Sequence, residues 1–151
     1  MARPGAFAAL AAAAEGPAAA LLAALAGEGV LWRSSYGAGE AGAYGRSGAW
    51  TALASREGPV RLARGLATVM VAGPGVAYPA HRHGPAELYL VLSGGMRAEA
   101  EGRAARRLGP GEAVRHAPRQ AHAMRAGPEG AAVLAVWDGD WERSEMVEAV
   151  G

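Results

Sequence analysis

The stretch that decides the fold is residues 75–94, which read GVAYPAHRHGPAELYLVLSG. Residues two apart on a β-strand point to the same face, so a strand through the first half of this stretch projects His81 and His83 together. By the same rule Glu87 and Tyr89 share a face of the strand that follows. The pattern therefore predicts two neighbouring strands that carry chemically reactive side chains.

A tight turn at 84–85 is expected to pair these strands, so that one wall of a barrel carries two imidazoles, a carboxylate and a phenol. A second stretch, 110–124, reads PGEAVRHAPRQAHAM, and its turns are expected to bring His122 to the same wall. Neutral imidazoles with one carboxylate suit a divalent transition metal such as Fe, Zn, Mn, Ni or Co. Because this set leaves positions for exchangeable water, it indicates a catalytic site rather than a structural one.

Short apolar runs separated by glycine- and proline-containing turns continue on both sides of these stretches. They predict strands at 66–72, 87–92, 96–101, 113–116, 121–125 and 131–137. So many short strands at close spacing indicate a mainly β protein, a sandwich or small barrel.

The first 58 residues differ from the rest of the chain in amino-acid composition. We expect them to form a helical and loop segment that packs on a barrel of residues 59–151 within a single domain. Alanine- and leucine-rich runs predict helices at 6–15 and 17–26, with Pro17 suited to a first helical turn. The Gly-, Ser-, Tyr- and Trp-containing run 27–58 is typical of a long ordered connection or a lid. The acidic tail, 141–150, is expected to form a last short helix.

Composition excludes several classes of protein. The chain has 151 residues, no cysteine and a formal net charge of +1, and all its basic residues are arginines. Without cysteine there are no disulfides, thiolate ligands or cysteine nucleophiles, and near-neutral charge argues against nucleic-acid binding. No uninterrupted apolar run reaches the roughly 18–20 residues of a membrane span, and the N-terminal run is too broken for a secretory signal. We therefore expect a cytoplasmic protein with neither nucleic-acid nor membrane partners.

Residues 75–94 match the first cupin motif position for position. The matching residues are Gly75, His81, His83, Glu87 and Gly94. The second stretch resembles the other cupin motif at Pro110, Gly111, Pro118 and His122, although Ala126 stands where that motif ends in Asn. Cupins are double-stranded β-helix (jelly-roll) barrels, so the resemblance implies this fold over roughly residues 60–137, with short N-terminal helices added.

Within the cupins the chain resembles the dimethylsulfoniopropionate (DMSP) lyases. Tyr78 precedes the histidine pair, Tyr89 follows Glu87 by two residues, and the second motif ends in His-Ala-Met with His116 upstream. The resemblance implies a metal centre and residues that line it. The implied ligands are His83, Glu87, Tyr89 and His122, with His81 and Tyr78 lining the site and direct ligation by His81 left open.

The resemblance further implies β-elimination of DMSP to dimethyl sulfide and acrylate. Tyr89 is the first candidate for the base, and Tyr78 is either a second candidate or a hydroxyl that orients substrate. A sulfonium favours aromatic faces, for which four rings are available. These rings are Trp32, Tyr36, Tyr44 and Trp50. The candidate substrate contacts are His81, His116 and Trp50, with His116 expected in the wall of the site rather than on the metal.

Other functions remain open for a cupin, because fold alone does not fix chemistry. The same ligands can serve a metal-dependent oxygenase or isomerase acting on another small carboxylate or a sugar, or a non-catalytic metal- or ligand-binding cupin. The paired tyrosines favour the lyase. A small-molecule substrate is expected in each enzymatic case, and a homodimer is possible, with Trp137 and Trp141 capping either the barrel or a dimer contact.

Overall fold

A computed structural model describes residues 3–34 and 42–151, and both predicted helices and most of the predicted strands form within these ranges. Within these ranges the helices are α1 (Phe7–Ala13), α2 (Gly16–Leu25) and α3 (Gly42–Ser47). The strands are β1 (Gly48–Ser55), β2 (Val60–Arg61), β3 (Leu66–Ala72), β4 (Ala77–Arg82), β5 (Glu87–Ala100), β6 (Arg106–Leu108), β7 (Ala113–His116), β8 (His122–Trp137) and β9 (Glu145–Met146). The described part of the chain contains no helix long and apolar enough to cross a bilayer.

Two long antiparallel strands, β5 and β8, organise the sheet. Their pairing shifts register between Gly94 and Met96, opposite residues 127–130 of β8, so both strands are interrupted at the same level. Gly94 has φ +71°, and a Cβ there would overlap the carbonyl oxygen of Gly130. Only glycine permits both this backbone conformation and this close approach.

The interruption divides the sheet into two halves. The helix-side half contains β1, β2, β3 and β7. It also contains residues 87–94 of β5 and residues 131–137 of β8, which pair with each other. The tail-side half contains β4, β6, β9 and the remaining parts of β5 and β8. Side chains of both halves meet in one inner core, which includes Met70, Val91 and Val133 from the first half and Tyr78, Met96 and Met124 from the second.

The N-terminal helices cover the outer face of the helix-side half. Phe7, Leu10 and Leu22 are almost fully buried there against strand residues such as Val69 and Val71. These strands are therefore apolar on both faces, which explains why they appear in the sequence as continuous apolar runs rather than as alternating ones.

The mainly β fold with short N-terminal helices is confirmed, and several boundaries are corrected. The predicted strands 87–92 and 96–101 form one strand, as do 121–125 and 131–137, because pairing between β5 and β8 resumes beyond the interruption. Segment 1–58, expected to be helices and loop, also contributes β1, which pairs with β3 along its length. The division of the chain at residue 58 stays a prediction.

Two local predictions were wrong. The strands flanking 84–85 do not pair with each other, since β4 pairs with β8 and β9 while β5 pairs with β6, β7 and β8. The tail 141–150 is not helical: its Glu145 and Met146 form β9 on the free edge of β4. The edge of β4 offers backbone hydrogen-bond partners to the tail whatever the helix propensity of the tail's glutamates.

Candidate metal centre

Three strand ends bring the predicted ligands together. His81 lies near the end of β4, His83 just beyond it, Glu87 begins β5 and His122 begins β8, directly opposite His81 in the β4–β8 register. One potential ligand atom from each of the four side chains lies within 4.8 Å of the others. All four are at most 3% exposed, so the sequence-predicted group forms a closely spaced, buried cluster.

Backbone carbonyls fix the orientation of all three imidazoles in this cluster. In each ring Nδ1 lies within hydrogen-bond distance of the carbonyl oxygen of a residue two positions away in sequence. The pairs are His81 with Pro79 at 2.8 Å, His83 with Pro85 at 3.0 Å and His122 with Gln120 at 2.9 Å. A neutral imidazole carries one proton, so donation from Nδ1 leaves Nε2 with a bare lone pair. This is the arrangement found around metal-bound histidines.

The bare nitrogens converge on a carboxylate. Nε2 of His83 and Nε2 of His122 lie 3.1 and 3.0 Å from Oε2 of Glu87. Burial alone would raise the pKa of Glu87, but hydrogen bonds from His122 and His83, which require a proton on Nε2, outweigh it and hold that pKa well below its usual range. Burial, together with the proximity of His122, lowers the pKa of His81 to about 3, so this ring is neutral near pH 7. In the tautomers that the carbonyl contacts favour, the Nε2 lone pairs instead face the carboxylate with no proton between them; a divalent cation relieves this repulsion, and the donor set fits one.

Trp137 completes the environment of Glu87. Its indole Nε1–H donates to Oε1 of Glu87 at 2.5 Å, while its ring stacks on His83 with centroids 4.1 Å apart. The carboxylate is thus held at one oxygen and free to bind through the other. Trp137 was expected to cap the barrel or a dimer contact, and its hydrogen bond to Glu87 was not predicted; its strand parity with Val133 and Ala135, which lie in the inner core, was the available signal.

Both predicted catalytic tyrosines lie at the cluster. Tyr89 is 1% exposed and packs edge-on against His122, with centroids 6.0 Å apart. Burial, and next the negative charge of Glu87, raise the pKa of the Tyr89 hydroxyl well above its usual value of 10. Tyr78 stacks between Tyr44 at 4.2 Å and His81 at 4.0 Å. Both hydroxyl-bearing rings therefore contact residues of the candidate centre.

His116 occupies a different position from the other histidines. Its ring is fully buried and lies parallel to His122 at 4.1 Å, with Tyr89 edge-on at 5.2 Å. Neither ring nitrogen has a hydrogen-bond partner among the described residues. Burial, and next the proximity of His122, lower the pKa of His116 to about 3. His116 stacks on His122 and is not among the residues lining the cavity.

A cavity of about 40 Å³ lies over the cluster and is lined by His81, Glu87 and Tyr89 at its inner end. Trp50 and Tyr44 also line it, as do Trp141, Glu142 and Ser144 of the tail, which sequence reasoning had not connected with the site. Trp32 packs against Phe7 at 5.2 Å in the helix-side cluster and is not among the lining residues. Tyr36 lies outside the described residues. The aromatic faces next to the site are thus those of Trp50, Tyr44 and Trp141, together with Tyr78 and Trp137.

Comparison with known proteins identifies the family of the chain. The family model described as dimethylsulfoniopropionate lyase matches residues 6–134. The chain belongs to the DMSP lyase family. The DMSP lyase DddQ of Ruegeria pomeroyi is 37% identical to it over 83 residues, which cover 54% of this chain and 41% of DddQ. The alignment thus spans less than half the length of that curated relative.

Solved DMSP lyases share the whole fold. The DddQ structure from Ruegeria pomeroyi DSS-3 superposes with a TM-score of 0.82 at 29% identity, covering 100% of this chain and 80% of that one. A chain from the crystal structures of the DMSP lyases RdDddP and RnDddQII superposes with a TM-score of 0.83 at 28% identity. The superposition covers 97% of this chain and 80% of that one. Oxalate decarboxylase of Bacillus subtilis gives 0.60 at 23% identity over 66% of this chain, a likeness of fold alone. The predicted cupin jelly-roll is confirmed.

Proposed function

We propose that this DMSP lyase family member is a metal-dependent carbon–sulfur lyase that converts DMSP to dimethyl sulfide and acrylate by β-elimination. The observation that carries the proposal is the position of the buried Tyr89 beside the cluster of three histidines and Glu87, a donor set that suits a divalent cation. Family membership supports the substrate, and the cluster supports the chemistry.

The reaction needs a base at the carbon next to the substrate carboxylate. The base removes a proton from that carbon, the new double bond forms toward the carbon bearing sulfur, and the C–S electron pair leaves with neutral dimethyl sulfide. We assign the base to the Tyr89 oxygen, which takes the proton. Tyr78 is held by its two stacking partners and orients the substrate through its hydroxyl.

We assign metal binding to His83, Glu87, His122 and Tyr89, with His81 as a further ligand of the same cluster. A divalent transition ion held there supplies Lewis-acid stabilisation of negative charge on the substrate carboxylate and favours the phenolate form of the adjacent tyrosine. Trp137 keeps Glu87 in its binding orientation, and the carbonyl contacts do the same for the histidines.

The remaining predicted substrate contacts are assigned by position. Trp50 lines the cavity and is placed to face the sulfonium end, although the Arg33 guanidinium lies over its ring 5.8 Å from the centroid. His81 lines the inner end. Substrate contact by His116 stays a prediction, as do a homodimer, a cytoplasmic location and the absence of nucleic-acid or membrane partners.

The test is headspace measurement of dimethyl sulfide from metal-reconstituted protein supplied with DMSP, with metal-free protein as the control. Tyr89→Phe is expected to abolish the product while metal content stays nearly unchanged. His83→Ala, Glu87→Ala and His122→Ala are each expected to lose the metal and the activity together. Full activity in Tyr89→Phe would remove this residue as the base. No dimethyl sulfide above the control would favour a cupin oxygenase, isomerase or binding protein instead.

A further inference from the structure

The two ends of the cavity carry different charged groups. Glu87 lies at the inner end within the candidate metal cluster, and Glu142, an exposed residue of the tail, lies at the mouth. No arginine lines this cavity among the described residues, and the chain has no lysine. Once the inner carboxylate serves a metal, the remaining carboxylate among the residues lining the cavity is that of Glu142 at the mouth.

The tail is fastened to the wall of the site by several contacts. The backbone N–H of Val147 donates to the carbonyl oxygen of Ala80 at 2.9 Å, and Met146 pairs with His81 in the β4–β9 register. Arg82 donates to both carboxylate oxygens of Glu145, at 2.9 and 2.6 Å. These contacts hold the tail along the strand that carries the metal-cluster histidine.

Glu142 itself is held in place. Its carboxylate accepts a hydrogen bond from the backbone N–H of Gly84, the residue after His83. A Cβ on Gly84 would lie 3.0 and 3.1 Å from the two carboxylate oxygens, so the absence of a side chain makes room for the carboxylate. The negative charge at the mouth therefore occupies a defined position.

We propose that Glu142 determines substrate specificity by selecting molecules whose end remote from the metal carries a permanent positive charge. The inference rests on the proposed function, in which the substrate carboxylate lies at the inner end and an onium group faces outward. A sulfonium or quaternary ammonium has no N–H to donate, so charge attraction and aromatic faces are the means of recognising it. Trp141, beside Glu142 in the sequence, adds an aromatic ring to the same mouth.

The same charge disfavours substrates with two anionic ends. A dicarboxylate or a phosphorylated acid bound through one end would place its second negative charge near Glu142, where like charges repel. The family-model match ends at residue 134, so this specificity element lies beyond the matched range.

The test compares two ligands of the same shape, 3-(trimethylammonio)propionate and 4,4-dimethylpentanoate, which differ only in the positive charge and neither of which contains sulfur. Their dissociation constants for the metal-loaded protein are measured by titration calorimetry. In Glu142→Gln the amide oxygen still accepts from Gly84, so only the charge is lost. Glu148→Gln removes the same charge from the tail at a residue that does not line the cavity.

We expect the preference for the cationic ligand to fall about two- to fivefold in Glu142→Gln, the range for an exposed ion pair. It is expected to stay unchanged in Glu148→Gln. The wild-type preference should also shrink with added salt, and less so in Glu142→Gln. An unchanged preference in Glu142→Gln, or an equal loss in both variants, overturns the inference. Because the readout is binding and neither ligand can release dimethyl sulfide, this result is independent of dimethyl sulfide production, and the two failures are distinguishable.

Discussion

Trp137→Phe tests how the metal cluster is held together. The substitution keeps an aromatic ring against His83 but removes the Nε1–H that donates to Glu87 Oε1 at 2.5 Å. Both side chains are at most 9% exposed, so water does not readily replace the lost donor. A hydrogen bond to a charged group contributes about 1.5–3 kcal/mol. The freed carboxylate is expected to turn toward the histidines or take up a proton, and both compete with metal binding.

We therefore expect Trp137→Phe to bind the metal about 10–100 times more weakly, the usual loss when a ligand's orienting partner is removed. The metal-free variant should melt about 4–8 °C lower for a loss of about 2 kcal/mol. Metal affinity is measured by competition with a chromophoric chelator. Trp32→Phe is the matched control, because Trp32 lies in the helix-side cluster against Phe7. Wild-type metal affinity in Trp137→Phe would refute the role of this hydrogen bond.

Gly94→Ala is expected to destabilise the protein by more than about 3 kcal/mol, since positive φ alone costs about 1–2 kcal/mol and the new Cβ overlaps the carbonyl oxygen of Gly130. Gly102 has φ +73° with open space around it, so Gly102→Ala should lose only the about 1–2 kcal/mol that positive φ costs. The free energies of unfolding of both variants are compared by urea unfolding. Folding lowers the pKa of His81 and His116 from 6.5 to about 3, mainly through burial, so the unfolded chain binds more protons in that interval. Stability of the metal-free protein, measured by urea unfolding across this interval, should fall with decreasing pH by up to about 1.4 kcal/mol per unit for each histidine, and His116→Phe should lower that slope.

The metal cluster was predictable because its residues are close in sequence or follow a fixed motif. His81, His83 and Glu87 lie within seven consecutive positions, so strand parity and one turn nearly determine their proximity. The predicted proximity of these side chains is found even though the two strands do not pair, since the turn between them still places their ends together. Local sequence spacing was therefore sufficient to predict that these side chains lie close together.

Trp137 and the tail could not be placed in the same way. Trp137 reaches Glu87 across fifty positions through the β5–β8 register, which depends on the interruption at 127–130. The tail was expected to be helical because its composition suits a helix, but the free edge of β4 supplied backbone partners instead. Register and edge availability are properties of the assembled sheet, so the sequence of either segment alone does not contain them.

The two faces of the helix-side strands perform different tasks. On β5, Tyr89 and Val91 point into the inner core while Leu90 and Leu92 pack toward the helices, and β3 and β8 alternate in the same way. Burying the lone pairs of the metal cluster and the unpartnered nitrogens of His116 costs stability on the inner face. The apolar contacts of α1 and α2 offset that cost on the outer face of the same strands. Strand parity separates the two sets of side chains. The fold can therefore bury destabilising polar groups on the inner face while the outer face keeps the apolar packing that stabilises it.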